Sequence, residues 1–337
     1  TNNNNELNIM ATYKEIHGTN IEVLSSDPAN SVEGQVWYNS TSNVVKFNAG
    51  ALSGAWSTQS ALNSAKQASG GVGTTNAALA FNGQPYTSPT SNATESYNGS
   101  WTSISPGNMA NGRFELGSAG TQTGALGFGG YRGPPGIGRV NESESFNGSA
   151  WTTTPSLNAE KYGVRGSGLS NTAALCVGGN DEASNSSVTS TESYNGSWTN
   201  GPALNTARQQ GQCSGSQTSA LYSGNGPSNA PTQNATESYN GSWTNGPTNP
   251  QPRGLGAQSS VSNASAISFN GGTGGSNQAT IWNGSSWTTS ATSNEAHTET
   301  QGAKGGSSAS TLVFGGSPGG LNTEEFSSSG GIRTLSS

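Results

Sequence analysis

The chain of 337 residues has 50 glycines, only 29% hydrophobic and 9% charged residues, and a formal net charge of −6. So little apolar mass would suit a disordered linker, but an unstructured polar tract has no reason to keep a tryptophan in phase along its length, and this chain does. The acidic balance without a basic cluster excludes a nucleic-acid surface, and no apolar run is long enough to cross a bilayer as a helix.

Met10, followed by Ala-Thr-Tyr-Lys, reads as an initiation site, so residues 1–9 are treated as an extension and residues 1–19 are set apart from the fold. Residues 20–58 hold three short extended runs, Ile21 to Val23, Gln35 to Tyr38 and Val44 to Phe47, expected to form a small β-hairpin module or, alternatively, a degenerate repeat. Tryptophans then recur at Trp56, Trp101, Trp151, Trp198, Trp243 and Trp287, 44 to 50 residues apart. A period in the forties implies propeller blades or solenoid coils.

Each repeat has four segments. The first is Leu-Asn with a following Arg or Lys (Leu62 to Lys66, Leu157 to Lys161, Leu204 to Arg208, with Met109 to Arg113 and Asn249 to Arg253 as variants), leading into small residues such as Gly117 to Gly120. The next is an apolar run closed by glycine, as in Ala77 to Gly83, Gly124 to Gly130 and Ala173 to Gly179. Then comes Thr-Glu-Ser-Tyr-Asn-Gly-Ser-Trp, at Thr94 to Trp101, Thr191 to Trp198 and Thr236 to Trp243, with Ser143 to Trp151 as a close copy. Weaker copies are Val44 to Gly50 running on to Trp56, and Ala279 to Trp287.

The apolar runs are too short for helices and are bounded by glycine, which argues strands. Asn-Gly between two extended segments predicts a tight hairpin, of type I′ with positive φ at both central residues. Four short antiparallel strands repeated six times predict an all-β fold, a β-propeller over residues 59–337. Six blades are expected; seven result if Val44 to Gly50 and Thr323 to Ser329 both count. The glycines of the first strand suit crowding around a central axis, and the six tryptophans are expected to anchor neighbouring blades. Cys176 and Cys213 occupy non-equivalent positions, which predicts two packed thiols and no disulfide.

The double glycine closing a strand, the Glu-x-Tyr and the tryptophan after it resemble the kelch repeat, with the order of elements kept over residues 44–337. The particular wording of these repeats is similar to kelch-like virion proteins of tailed marine bacteriophages. Asp27 to Phe47 is similar to a Pro-x-x-Gly-Gln-x-Trp-Tyr-Asn module near the attachment ends of phage tail-fibre and other appendage proteins, with Ser31 where that module usually has a second proline. The resemblance implies a virion protein made in the host cytoplasm, joined to other virion proteins through residues 1–58, as a monomer or a homo-oligomer.

Catalytic and metal chemistry find little footing. His17 and His297 are the only histidines and Asp27 and Asp181 the only aspartates, so neither a metal site nor an aspartate-rich calcium loop is spelled out; no metal and no cofactor are expected. Glu95, Glu144, Glu192 and Glu237 recur at one place in the repeat, whereas glycoside hydrolysis needs one asymmetric pair. They are expected to pair with Lys66, Arg113, Lys161, Arg208 and Arg253 as scaffold. What varies is the connection after the glycine-closed strand, and variable loops on a rigid scaffold commonly carry recognition. Tyr86, Tyr131, Arg132 and Asp181 lie there and are the expected sugar-binding side chains. The functional expectation is a non-enzymatic appendage protein binding host-surface glycan. The alternatives are a capsid or tube decoration protein without a receptor role and, more remotely, a glycan-degrading enzyme.

Overall fold

The computed structural model describes residues 21–328 and 332–334, apart from 29–30, 32–33, 49–53, 85–89, 134–135, 137, 227–233, 252–253 and 273–274. Two compact units result, residues 1–53 with 329–337, and residues 54–328. Among the described residues the secondary structure is strand without helix.

In the first unit Val36–Asn39 and Val44–Asn48 form the expected hairpin, which a parallel strand, Glu22–Leu24, and an antiparallel one, Ile332–Thr334, extend to four strands. Asn39 Oδ1 accepts the backbone N–H groups of Thr41 and Ser42 and shapes the turn. Asp27 gathers the sheet. Its carboxylate accepts hydrogen bonds from the Trp37 indole at 3.1 Å and the Asn39 amide at 2.7 Å, and it pairs with Lys46 at 2.8 Å. The Lys46 hydrogen bond is the main reason its carboxyl is held below the usual range.

The second unit contains, among the described residues, six four-stranded antiparallel sheets. Their first strands are Gly70–Thr74, Gly117–Thr121, Arg165–Ser170, Gln212–Gly215, Ala257–Ser262 and Gln301–Gly302. The apolar run and the Thr-Glu-Ser-Tyr segment supply the second and third strands, and the strand opening on tryptophan is the fourth. First strands touch in the cyclic order in which they are named, and the sixth touches the first. This arrangement is compatible with a propeller.

Two sequence expectations need correction. Val44–Asn48 is not the partner of Trp56; it pairs inside the first unit. Ala55–Thr58 instead adds to Thr323–Ser327, so that Phe326 stands opposite Trp56 as Tyr97 stands opposite Trp101. Ladder bonds therefore place residues 55–58 with the repeats and not with a module ending at 58. The hairpin is also not a two-residue turn. Tyr97, Tyr194 and Tyr239 face Trp101, Trp198 and Trp243 across three-residue loops. Only the glycines, Gly99, Gly196 and Gly241, take positive φ there, since one left-handed residue suffices in a three-residue loop.

The tryptophans join each sheet to the one before it. Indole Nε1 donates to the hydroxyl opening the preceding sheet's third strand: Trp101 to Thr323 at 2.9 Å, Trp151 to Thr94, Trp198 to Ser143 and Trp287 to Thr236, each at 3.0 Å. The fifth sheet has Ala279 at that position, and Trp56 uses the Ala291 carbonyl instead. The rings also meet across the gap edge-to-face or tilted, Trp101 with Phe314, Trp151 with Phe81, Trp198 with Phe128 and Trp56 with Phe269, with centroids 4.7–5.6 Å apart. The indole and ring together bury apolar area on both sides of each sheet, so the third strand is covered on both faces.

Glycine in the first strand answers the expected crowding between neighbouring first strands, since a Cβ at Gly166 would come within 2.3 Å of the Ser118 carbonyl oxygen, and also a second crowding within its own sheet. Gly117 stands opposite Phe128, whose ring lies across it; a Cβ there would come within 2.1 Å of that ring. The large aromatic thus takes the space its neighbour leaves.

The repeated glutamates lie in buried ion pairs: Lys66 with Glu95 at 3.4 Å, Arg113 with Glu144 at 3.2 Å, Lys161 with Glu192 at 2.9 Å, and Arg208 with Glu237. Each carboxylate also accepts the backbone N–H at the Leu-Asn or Met-Ala corner, as Glu192 does from Asn158 at 2.8 Å and Glu144 from Ala110 at 2.8 Å. In the fifth sheet Thr280 replaces the glutamate, and the buried Asn249 amide donates to it at 3.0 Å. Arg253 lies outside the described residues.

Replacing Glu192 by Ala leaves Lys161 buried and unpaired, so urea denaturation is expected to register a loss of about 3–5 kcal/mol. Cys176 and Cys213 are free and buried, and burial pushes both thiols up to about 12. A thiol reagent such as dithionitrobenzoate should leave both unmodified in the native protein and label both in denaturant; prompt labelling in the native state would contradict the packing.

Candidate functional site

Two residues before each first strand stands a residue in the left-handed region: Ala68, Glu115, Gly163, Gln210, Leu255 and Glu299, with φ between 48° and 64°. Five successive hydrogen bonds link them. Ala68 N–H donates to the Glu299 carbonyl, Glu115 to Ala68, Gly163 to Glu115, Gln210 to Gly163 and Leu255 to Gln210, at 2.7–2.9 Å. Non-glycine residues accept this conformation at a cost of about 1–2 kcal/mol each, which the bonded series offsets. Five of them stand two residues after the repeated Lys or Arg, but the residue type at the position itself varies, so its left-handed conformation is not legible before folding.

The glycine-closed connections lie beside this series, and the second and third sheets make it asymmetric. Tyr131 pairs with Phe114 through the backbone, and its ring stands 5.5 Å from Phe114 and 5.7 Å from Tyr162. Phe114 and Tyr162 immediately precede Glu115 and Gly163. All three aromatics are half-buried. At the equivalent places of the first and fourth sheets stand Gln67 and Gln209, so the aromatic cluster belongs to one side only.

Charged groups frame the cluster. The Arg139 guanidinium lies 5.1 Å from the Tyr162 ring centre, donates to Asn180 Oδ1 at 2.7 Å, and bonds Glu182 and Asn185. Arg132 pairs with Glu142, whose other oxygen takes Arg113 at 3.0 Å. Of the expected sugar-binding residues, Tyr131 and Arg132 therefore stand together on one short hairpin, Tyr131–Arg132 with Gly138–Arg139. Asp181 is near but occupied, its Oδ1 accepting the Ser184 N–H at 3.0 Å to close its own turn. Tyr86 lies outside the described residues. Sequence reasoning missed Phe114 and Arg139 of the second repeat and Tyr162 of the third; their only signal was being aromatic or cationic where other repeats are not.

Glu115 is buried beside this cluster. Gln210 Nε2 donates to its Oε1 at 2.6 Å, while Oε2 has no hydrogen-bond partner among the described residues. Burial pushes its carboxyl up to about 7, against the pull of Arg165 and the Gln210 hydrogen bond, with Glu299 adding repulsion. Burial likewise raises Glu299 and Tyr162. The recurring glutamates cannot serve as an acid pair, being engaged in the ion pairs and corner bonds described above. Among the described residues no three His, Cys, Asp or Glu side chains converge as metal ligands. What the site offers is aromatic faces bordered by acceptors and a guanidinium, a surface for binding a polar ring compound.

Because the folded state disfavours the charged form of Glu115, its contribution is full below the unfolded carboxyl value and is lost as pH rises towards about 7. Glu115→Gln should therefore gain stability relative to the parent between about pH 4.5 and pH 7, by up to about 3 kcal/mol, and hold that gain above pH 7. Chemical denaturation across that range measures it; a constant difference at all pH values would contradict the assignment. Neither a scan of protein-family models nor a search of curated proteins yields a match to this chain.

Proposed function

We propose that this chain is a non-enzymatic virion protein of a tailed bacteriophage, an appendage or tail-fibre-like component whose six-bladed kelch-like propeller binds host-surface glycan. Support for six blades comes from the six four-stranded sheets, the cyclic contacts of their first strands, and a last sheet that takes its fourth strand from Ala55–Thr58. Support for the virion assignment is the resemblance of the repeats and of Asp27 to Phe47 to phage appendage proteins. In this reading the sheet gathered around Asp27 joins other virion proteins, with assembly as a homo-oligomer compatible with it. No nucleic acid, membrane insertion, metal or cofactor takes part.

The observation that carries glycan recognition is the cluster of Phe114, Tyr131 and Tyr162, half-buried and bordered by Arg139 and Arg132, on a scaffold otherwise lined by small polar residues. Aromatic faces take the apolar faces of sugar rings, and flanking charged groups hydrogen-bond the hydroxyls. The absence of repeat symmetry at this one place is what a specific ligand requires.

A glycan array probed with the whole protein, followed by titration of the hits, tests this. The double substitution Tyr131→Ala with Tyr162→Ala is expected to weaken binding at least tenfold, about 1.4 kcal/mol or more, while a thermal scan checks that the fold persists. Binding unchanged in that variant, or no glycan bound at all, would leave the decoration role. Release of reducing sugar from host polysaccharide would overturn the non-enzymatic reading.

A further inference from the structure

Between the first strands of the third to sixth sheets lies a cavity of about 10 Å³, room for one water-sized species. Two cationic side chains reach it, Arg165 at the start of the third sheet's first strand and Lys304 just after the sixth sheet's, each only 6% exposed. Lys304 extends across to the second and third sheets, where its ammonium donates to the Ser118 carbonyl at 3.1 Å and the Gly166 carbonyl at 3.0 Å. That uses two of its three N–H groups. Arg165 donates from Nε to the Gly211 carbonyl and from one terminal nitrogen to the Val164 carbonyl, leaving the other terminal nitrogen without a protein acceptor among the described residues. Gln301 also lines the cavity, and among the described residues its amide donates to no protein group.

Among the described residues no carboxylate lines this space. Glu115 and Glu299 act on Arg165 from the left-handed positions, whereas among the described residues the charged or titratable groups that act on Lys304 are Cys213 and Arg165, the latter opposing its charge. Two buried like charges facing one cavity are costly unless a counter-charge enters, and burial already depresses the ammonium to about 7. The other two glutamines at the wall, Gln212 and Gln258, are engaged with Phe269, Ser268, Ser214, Leu221 and Ser223.

We propose that this cavity is a binding site for one small monovalent anion of the halide class, held between the Lys304 ammonium, the free Arg165 nitrogen and the Gln301 amide. A carboxylate, phosphate or sulfate is too large for the space; chloride is the halide at hand in biological fluids. The site ties the second, third and sixth sheets to one ion, and it stands independently of the glycan reading.

The whole protein, prepared free of halide, would be melted in sodium chloride, sodium bromide and sodium sulfate at equal ionic strength. Chloride and bromide should raise Tm by about 2–4 °C per tenfold concentration above the Kd, with sulfate giving no such increment. Crystals soaked in bromide should show an anomalous peak within hydrogen-bonding distance of Lys304 Nζ. Lys304→Met should abolish the halide increment; should that variant not fold, Gln301→Leu is expected to reduce it and the bromide peak still decides the position. Equal melting in the three salts, or bromide bound elsewhere and none beside Lys304, would overturn the proposal.

Discussion

The hydrogen bond from an indole to a hydroxyl of the preceding sheet is the contact on which the repeated architecture depends. Trp101, Trp151, Trp198 and Trp287 each reach Thr or Ser at the head of the neighbour's third strand. A sheet of glycine, alanine and serine has too few apolar side chains to build a core of its own. One large ring set between neighbours, hydrogen-bonded through its N–H and packed edge-to-face or tilted against a phenyl ring, supplies both burial and orientation. Trp243 departs from the pattern: its Nε1 has no hydrogen-bond partner among the described residues, and Thr191, the acceptor its place in the repeat would call for, donates to the Pro202 carbonyl. That junction is held by other bonds, among them Ser167 Oγ to the Ser216 carbonyl and Gln217 Nε2 to the Tyr194 carbonyl, each at 2.7 Å.

Around this contact the buried ion pairs act as braces. A glutamate on the third strand neutralises the Lys or Arg entering the sheet and also takes backbone N–H groups at the corner before it. Burial lowers the Lys66 ammonium, and Glu95 counters that shift. Where the glutamate is absent, Asn249 and Thr280 keep a neutral hydrogen bond in its stead.

Departures from the repeat are few. Tyr131, Phe114 and Tyr162 break the pattern on one side, and Lys304 with Arg165 breaks it among the first strands. Both are asymmetric features on a nearly symmetric frame. Regularity keeps the frame stable and leaves these few positions free to differ.

Much of the frame was legible in the residues themselves. Strand length, the Asn-Gly hairpin, the pairing of glutamate with the basic residue and the packed thiols all follow from patterns close together in the chain or repeated in phase. Less was legible of the candidate site: Tyr131 and Arg132 stood out as irregular, but Asp181 closes its own turn, Phe114 and Arg139 meet Tyr131 through backbone pairing within one repeat, and Tyr162 joins them only when the neighbouring sheet packs. Only tertiary structure could decide that Trp56 faces Phe326 and that Trp101 bonds Thr323, 222 residues away. Local sequence specifies strands and turns through bonds between near neighbours, whereas the meeting of the two ends and the crossing of Lys304 to Gly166 depend on how all six sheets pack at once.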